Sequence, residues 1–346
     1  MSLTYNEIKD EYRALAKTFE HISLHKDGLR DFYNTNTPKS LAYIGSGSSY
    51  CLCRSAELSA KIRLGTPSTS FAAGDLMLHH TDYRRILENA WLVPLSRSGS
   101  TSEVLMAVDK ARNLADVQVL GVACASGSKM AECSDFMLEL PWAFDESVCQ
   151  TRSVVNLYAA NLLVIAYLSD DQELINQCAE AIGSGDAFMD KWENQLADIA
   201  SEDWSNAVVL ADGEMCGLAE EGSLAISEIA RAPGRFYHLL DVRHGPMVLI
   251  DDKTFVLACI TEEGMEYQEA LITDLVEKGA TVVTYSEVPH EPIPGVRLQV
   301  DSGEKLGPAA RGMHFIFLPQ ILAYCKAREK GVDPDRPEGL SAWIKL

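Results

Sequence analysis

Two short stretches of this chain are dense in hydroxyls and glycine: Gly45-Ser46-Gly47-Ser48-Ser49-Tyr50 and Ser96-Arg97-Ser98-Gly99-Ser100-Thr101-Ser102-Glu103. Each follows a short apolar run and precedes an amphipathic one, which is the order of a strand, a turn and a helix. In an open parallel sheet the ligand crevice lies at the carboxyl ends of the strands. A helix that starts there presents N–H groups and the positive end of its dipole to an anion. Glycine lets the backbone come close, and hydroxyls add donors without net charge. The chemistry that suits this is phosphate binding. Such turns also serve as ordinary turns and helix caps, and Glu103, three residues after Ser100, fits the far end of a capping box. Two hydroxyl-dense turns in successive strand–helix units favour phosphate. Neither is a dinucleotide fingerprint, because Tyr50 stands where G-x-G-x-x-G needs its third glycine, and no G-x-x-x-x-G-K-[ST] loop occurs.

A titratable pair lies in the second half. Glu228 sits among apolar neighbours in the helical stretch Ser223 to Ile229, and His244 follows in Asp241-Val242-Arg243-His244-Gly245-Pro246. A carboxylate near apolar surface can be tuned for general-base work, and a loop histidine suits acid/base duty near neutrality. Spacing alone favours the plainer reading of a helix-surface glutamate and a loop histidine with a structural hydrogen bond. The adjacent His79 and His80 point apart in any regular structure and lack a third ligand, so no metal site is expected. Ser49, Ser96 and Ser98 lack a G-x-S-x-G setting, which disfavours a serine hydrolase.

These residues require an α/β scaffold. Apolar positions Ile8, Tyr12, Leu15, Phe19 and Ile22 predict one helix from Tyr5 to Phe32. Strands are then expected at 41–44, 69–72, 91–95, 117–123 and 136–141, with helices at 50–64, 101–114 and 151–168. A polar helical stretch, 172–202, is broken at Gly183-Ser184-Gly185. The rhythm restarts with strands at 207–211, 235–239, 254–260, 281–285 and 297–300 and helices at 218–230, 267–278 and 309–330. Alternation at this spacing implies parallel sheets with right-handed crossovers. The expected organisation is a helical segment 1–34, an α/β domain 35–170 carrying both turns, a helical connector 171–202 and a second α/β domain 203–346.

The formal charge of -20, from 50 acidic and 30 basic residues, disfavours nucleic acid and anionic membrane as partners. It also means that a phosphate must be held by local donors. The N-terminus lacks a signal-peptide pattern and no apolar run is long enough to cross a bilayer, so a cytoplasmic location is expected. Nine cysteines at irregular spacing, with no Cys-x-x-Cys, fit reduced core residues.

The two turns together with Arg243-His244-Gly245-Pro246 resemble the sugar isomerase (SIS) domain family. The layout is similar to the double-SIS arrangement in the isomerase half of glucosamine-6-phosphate synthase, tagatose-6-phosphate aldose/ketose isomerases and fructoselysine-6-phosphate deglycases. The likeness covers nearly the whole chain, through Ala219-Glu220-Glu221-Gly222-Ser223-Leu224 and Asp333-Pro334-Asp335-Arg336-Pro337. It implies two tandem SIS domains, each a mostly parallel sheet flanked by helices. It further implies that Ser49, Ser96, Ser98 and Thr101 hold the phosphate of a small-molecule sugar phosphate, helped by the backbone N–H groups of Arg97, Gly99 and Ser100. Gly47, Ser48 and Glu146 are further substrate-contact candidates, and Asp75 and the segment 147–152 are candidates for reading the ring. The resemblance implies that Glu228 shuttles a proton at C1/C2, and that His244 assists ring opening from the partner subunit of a homodimer. No cofactor is implied.

Two lysines of the synthase pattern are absent. Ala225 stands three residues before Glu228, and Ala342 takes the place of the Schiff-base lysine, with Lys345 out of register. Without them, and without a glutaminase domain, glutamine-dependent aminosugar synthesis is not expected. The expectation is an acid/base isomerase of a phosphorylated keto- or aminosugar. A deglycase or deaminase is the alternative within enzymes, and a sugar-phosphate-binding regulator the alternative outside them.

Overall fold

The computed structural model describes residues 2–341, so Ala342 and Lys345 lie outside the described residues. The chain divides into two compact units, residues 10–182 (the first unit) and residues 183–340 with 2–9 (the second). It opens with α1 (Leu3–Lys9) and α2 (Glu11–Thr35). These were expected as one helix, but the chain interrupts at Asp10, whose carboxylate pairs with Arg13 and with Arg152 at 2.7 Å. The rest of the first unit runs β1 (Ser40–Gly45), α3 (Ser48–Arg63), β2 (Ser68–Ala72), α4 (Ala73–His79), α5 (Arg84–Leu87), β3 (Ala90–Ser96), α6 (Ser102–Leu114), β4 (Val117–Ala123), α7 (Lys129–Glu132), β5 (Phe136–Glu139) and α8 (Arg152–Leu168). Next comes α9 (Gln172–Ala200), which is continuous through residues 183–185 where a break was expected. Glycine costs only about 1 kcal/mol inside a helix, and burial of Phe188, Met189, Trp192 and Leu196 beyond it outweighs that.

The second unit continues with β6 (Asn206–Leu210), α10 (Cys216–Ile229), β7 (Gly234–Tyr237), β8 (Thr254–Cys259), α11 (Met265–Glu277), β9 (Thr281–Ser286), β10 (Leu298–Asp301) and α12 (Pro308–Glu329). The sheets are ordered β2-β1-β3-β4-β5 and β7-β6-β8-β9-β10, and every pairing is parallel. Counted along each unit, both sheets have the order 2-1-3-4-5, which reverses direction between its first and third strands. All seven residues of β3 and all six of β8 are buried, as parallel strands covered on both faces must be. Pro94 lies within β3, and the β3–β4 ladder passes from Leu92↔Val119 to Leu95↔Val122, skipping the stretch where proline offers no N–H.

Each sheet has two covered faces. In the first unit Ala42, Ile44 and Leu92 pack against Val104, Ala107 and Val108 of α6, while α3 and α8 pack together elsewhere. In the second, Val208, Leu210 and Val256 meet Leu271 and Leu275 of α11, joined by Val242 from the β7–β8 crossover. Their neighbours in the strands point to the other face, where Tyr285 of β9 packs on Phe315 of α12 and α12 packs on α10.

Candidate functional site

The first hydroxyl turn connects β1 to α3. Gly45 ends the strand where a Cβ would meet the backbone of Ser49 at 2.6 Å, so the helix start is pressed against the strand end. Gly47, at φ 57°, is the residue before α3. Ser48 and Ser49 open the helix and are buried, at 5% and 3% exposure. The second turn connects β3 to α6. Gly99 has φ 58° and would place a Cβ 2.3 Å from Ser128 Oγ, so only glycine fits. Ser46, Ser49, Ser96, Ser98 and Thr101, with Gln150, line a single cavity of about 40 Å³ at the carboxyl ends of β1 and β3. This is where the strand order reverses, and where two helices begin.

Within the second turn Ser96 Oγ accepts a hydrogen bond from the Gly99 N–H at 3.0 Å and lies 3.3 Å from Thr101 Oγ1. The Ser100 N–H donates to Ser98 Oγ at 3.2 Å. The N–H groups of Gly99 and Ser100, expected as phosphate donors, are therefore engaged by the turn's own hydroxyls, which leaves the hydroxyl groups facing the cavity. Ser100 is exposed. The residue preceding α6 is Thr101, and no side-chain cap bond closes it. The expected capping box from Ser100 to Glu103 is thus not formed, because the cap falls one residue later. The Arg97 side chain, 4% exposed, donates to the carbonyls of Ser147 and Val148 at 2.8 and 3.1 Å. Its guanidinium ties down the 147–152 segment, while its backbone belongs to the turn. Within that loop Asp145 accepts from the N–H groups of Thr151 and Ser153 at 3.1 and 3.0 Å, fixing the start of α8. Glu146 is exposed and lies outside the cavity lining. Asp75 is hydrogen-bonded to Tyr83 Oη at 2.8 Å.

Glu228 and His244 both belong to the second unit. Glu228 is half-buried in the last turn of α10 and lines a groove of about 380 Å³ with Arg231, Pro233, Pro337, Glu338 and Leu340. Ala225, one turn earlier, is buried and offers no amine. His244 is exposed between two 3₁₀ turns, Asp241–Arg243 and Pro246–Leu249, and its N–H donates to the Asp241 carbonyl at 2.8 Å. The loop is anchored by buried Val242 and by Arg243, whose Nε lies 2.9 Å from Asp274 of α11. Around His244 the surface is apolar, with Val248 81% and Leu249 53% exposed. Glu228 rides on the helix layer of α10 and α12, and His244 on the α11 side of the same sheet. The sheet separates the two within one chain.

The second unit has its own crevice at the reversal point, between the carboxyl ends of β6 and β8. It encloses about 210 Å³, lined by Asp212, Thr261, Glu263, Tyr267, Gln268 and Arg311. Arg311 is 1% exposed and donates to the Ile260 carbonyl at 3.3 Å. Burial pushes the Cys259 thiol at its wall up to about 12. Sequence reasoning missed this crevice, because its residues carry no Ser/Gly signature. The signal was positional: Asp212 and Thr261 follow apolar runs as Ser46 and Ser98 do.

The fold and its sites define a pair of doubly wound α/β units, one with a hydroxyl-lined cavity at the ends of β1 and β3. No family model matches the chain. In sequence it is similar to the glutamine–fructose-6-phosphate aminotransferase (isomerizing) of Photorhabdus laumondii, 24% identical over 278 residues that cover 74% of this chain and 44% of that protein. The chain spans about half the length of the curated relatives it matches. Its fold is that of a glucosamine-6-phosphate deaminase from Thermotoga maritima, with TM-score 0.83, 24% identity and full coverage of both chains. The tagatose-6-phosphate ketose/aldose isomerase of Escherichia coli also superposes, with TM-score 0.81 and 20% identity over 100% of this chain and 96% of that one. The resemblance expected from the motifs is found. Among the described residues no helix is long and apolar enough to cross a membrane.

Proposed function

We propose that this protein is a sugar-phosphate isomerase or deaminase built of two tandem SIS domains, working by acid/base proton transfer. The observation that carries the reading is the cavity at the reversal point of the first sheet, where Ser46, Ser49, Ser96, Ser98 and Thr101 converge at two helix starts. Arg97 is the basic residue of the cavity lining, and its guanidinium is engaged by the carbonyls of Ser147 and Val148, so hydroxyls and helix N-termini are left to hold a phosphate. Glu228 removes a proton from C1 or C2 of the open-chain sugar, giving an enediol or enolamine. His244 opens the ring or protonates the departing atom. The carbonyl oxygen or iminium nitrogen takes up the electron pair released by the C–H bond, so the step needs no further group.

The sheet between Glu228 and His244 supports a homodimer in which each Glu228 works with the His244 of a second copy. The exposed Val248 and Leu249 beside His244 supply apolar surface for such a contact. Amine release is the second reading. It is favoured by the full-length superposition on a glucosamine-6-phosphate deaminase and by Ala225 in place of a lysine. Incubation with fructose 6-phosphate, glucosamine 6-phosphate and fructoselysine 6-phosphate separates the two. Aldose–ketose interconversion alone supports isomerisation, and free amine or ammonia supports deamination or deglycation. If none of the three is turned over and none raises the melting temperature, the reading fails.

A further inference from the structure

At the carboxyl edge of the second sheet three groups converge that the proton-transfer chemistry does not use. Asp212 follows β6, Cys216 opens α10, and His238 follows β7. Parallel pairing of β6 with β7 puts Leu210 beside Tyr237, and the next residues carry the strand ends to Asp212 and His238. The His238 Nδ1 lies 2.9 Å from Asp212 Oδ1 and 3.6 Å from Cys216 Sγ. All three ligand atoms lie within 4.8 Å of one another.

We propose that Asp212, Cys216 and His238 form a binding site for a divalent d-block cation of the zinc type. In a nucleophilic triad the thiol and the carboxylate address opposite nitrogens of the imidazole. Here both address the same nitrogen, so one ring N–H cannot serve as a relay between them. Convergence of sulfur, nitrogen and carboxylate oxygen on one point is instead what a metal requires. With Zn–S about 2.3 Å and Zn–N about 2.0–2.1 Å, a tetrahedral S···N edge is about 3.5 Å, close to the separation seen. The carboxylate need only back away by a few tenths of an ångström. Cys216 opens a helix of 14 residues, where the dipole favours an anionic sulfur. The Phe236 ring, 5.5 Å from the imidazole and edge-on, restrains its tilt. Side-chain exposures of 53% for His238 and 54% for Asp212 leave a path of entry. Three protein ligands leave the fourth position to water or a ligand.

The test is a cobalt(II) titration of the full chain after chelator treatment. A single tight equivalent should give tetrahedral visible bands and a thiolate-to-cobalt charge-transfer band, and zinc should displace it. Cys216→Ser should abolish the charge-transfer band while cobalt still binds more weakly. His238→Gln should weaken binding by more than about tenfold, since even an outer-sphere partner carries roughly that much. Cys325→Ser, a half-buried cysteine elsewhere in the second unit, should change nothing. Melting curves of each metal-free variant separate misfolding from ligand loss. A cobalt spectrum without thiolate character, or a charge-transfer band that survives Cys216→Ser in a folded protein, overturns the proposal. Neither outcome depends on any sugar.

Discussion

The two units share one strand order and differ in what stands at the same two strand ends. After β1 and β3 the first unit places Ser46, Ser49, Ser98 and Thr101; after β6 and β8 the second places Asp212, Glu214, Thr261 and Glu263. The scaffold therefore supplies a crevice twice, and side chains decide what enters it. Hydroxyls at helix starts accept an anion. Carboxylates at the equivalent positions repel one, even with Arg311 buried nearby, and present lone pairs suited to a cation. The candidate acid/base groups also belong to the second unit, so the first is expected to govern binding and the second chemistry.

The strongest way to break that division is Glu228→Gln. Loss of a general base costs about 10²–10⁴-fold, so kcat should fall by that much while the KM stays near its original value. A parallel rise in KM would place Glu228 in binding instead. Mixing Glu228→Gln with His244→Asn protein under exchange should restore about a quarter of wild-type activity, because half of random dimers are mixed and each carries one intact pairing of the two groups. No recovery from exchanged subunits would end the shared-site reading.

Making the first crevice resemble the second is the next test. Ser98→Asp puts a carboxylate beside the expected phosphate and should raise KM about 100-fold or more, with kcat little changed. Ser96→Ala, which removes the acceptor for the Gly99 N–H, should raise KM about tenfold, the worth of one hydrogen bond to a charged group. A smaller contrast concerns stability. Gly234 would place a Cβ 2.0 Å from the Ser223 carbonyl oxygen, whereas Gly47, at φ 57°, has nothing within 4 Å. Gly234→Ala should cost about 2–3 kcal/mol in denaturant titration, as overpacking against backbone does. Gly47→Ala should cost about 1–2 kcal/mol, from the left-handed conformation alone.

Much of this was legible in the residues because the deciding interactions are local. Buried parallel strands read as apolar runs, and the hydroxyl turns announce themselves between a strand and a helix. What escaped was set by distant partners. The interruption at Asp10 depends on Arg152, and the continuity of α9 through its glycines depends on burial of the residues beyond them. Arg97 was expected to offer only its backbone N–H to a phosphate, and nothing in its position foretold that its guanidinium would be spent on the carbonyls of Ser147 and Val148. No metal site was expected because His79 and His80 lack a third ligand, and His238 lies too far along the chain from Asp212 and Cys216 to signal a cluster. Only the pairing of β6 with β7 brings His238 to the other two, and a register is a tertiary fact.

The smallest expected effect tests how the His244 loop is held. Arg243 and Asp274 form an ion pair with side chains 31% and 45% exposed, Nη2 and Oδ2 being 2.5 Å apart. Solvent screens such a pair, so Arg243→Ala should cost less than about 1 kcal/mol of stability. The pair nonetheless joins the loop to α11, and Val242 is its other anchor. If position matters to His244, Arg243→Ala should lower kcat severalfold at near-constant stability, and Asp274→Asn should do the same through the same bond. Equal losses that vanish in the double variant, relative to either single one, would assign the effect to that contact. Independent, additive losses would mean that Arg243 acts elsewhere, and that the loop in the second unit is held by Val242 as the turn in the first is held by Gly99.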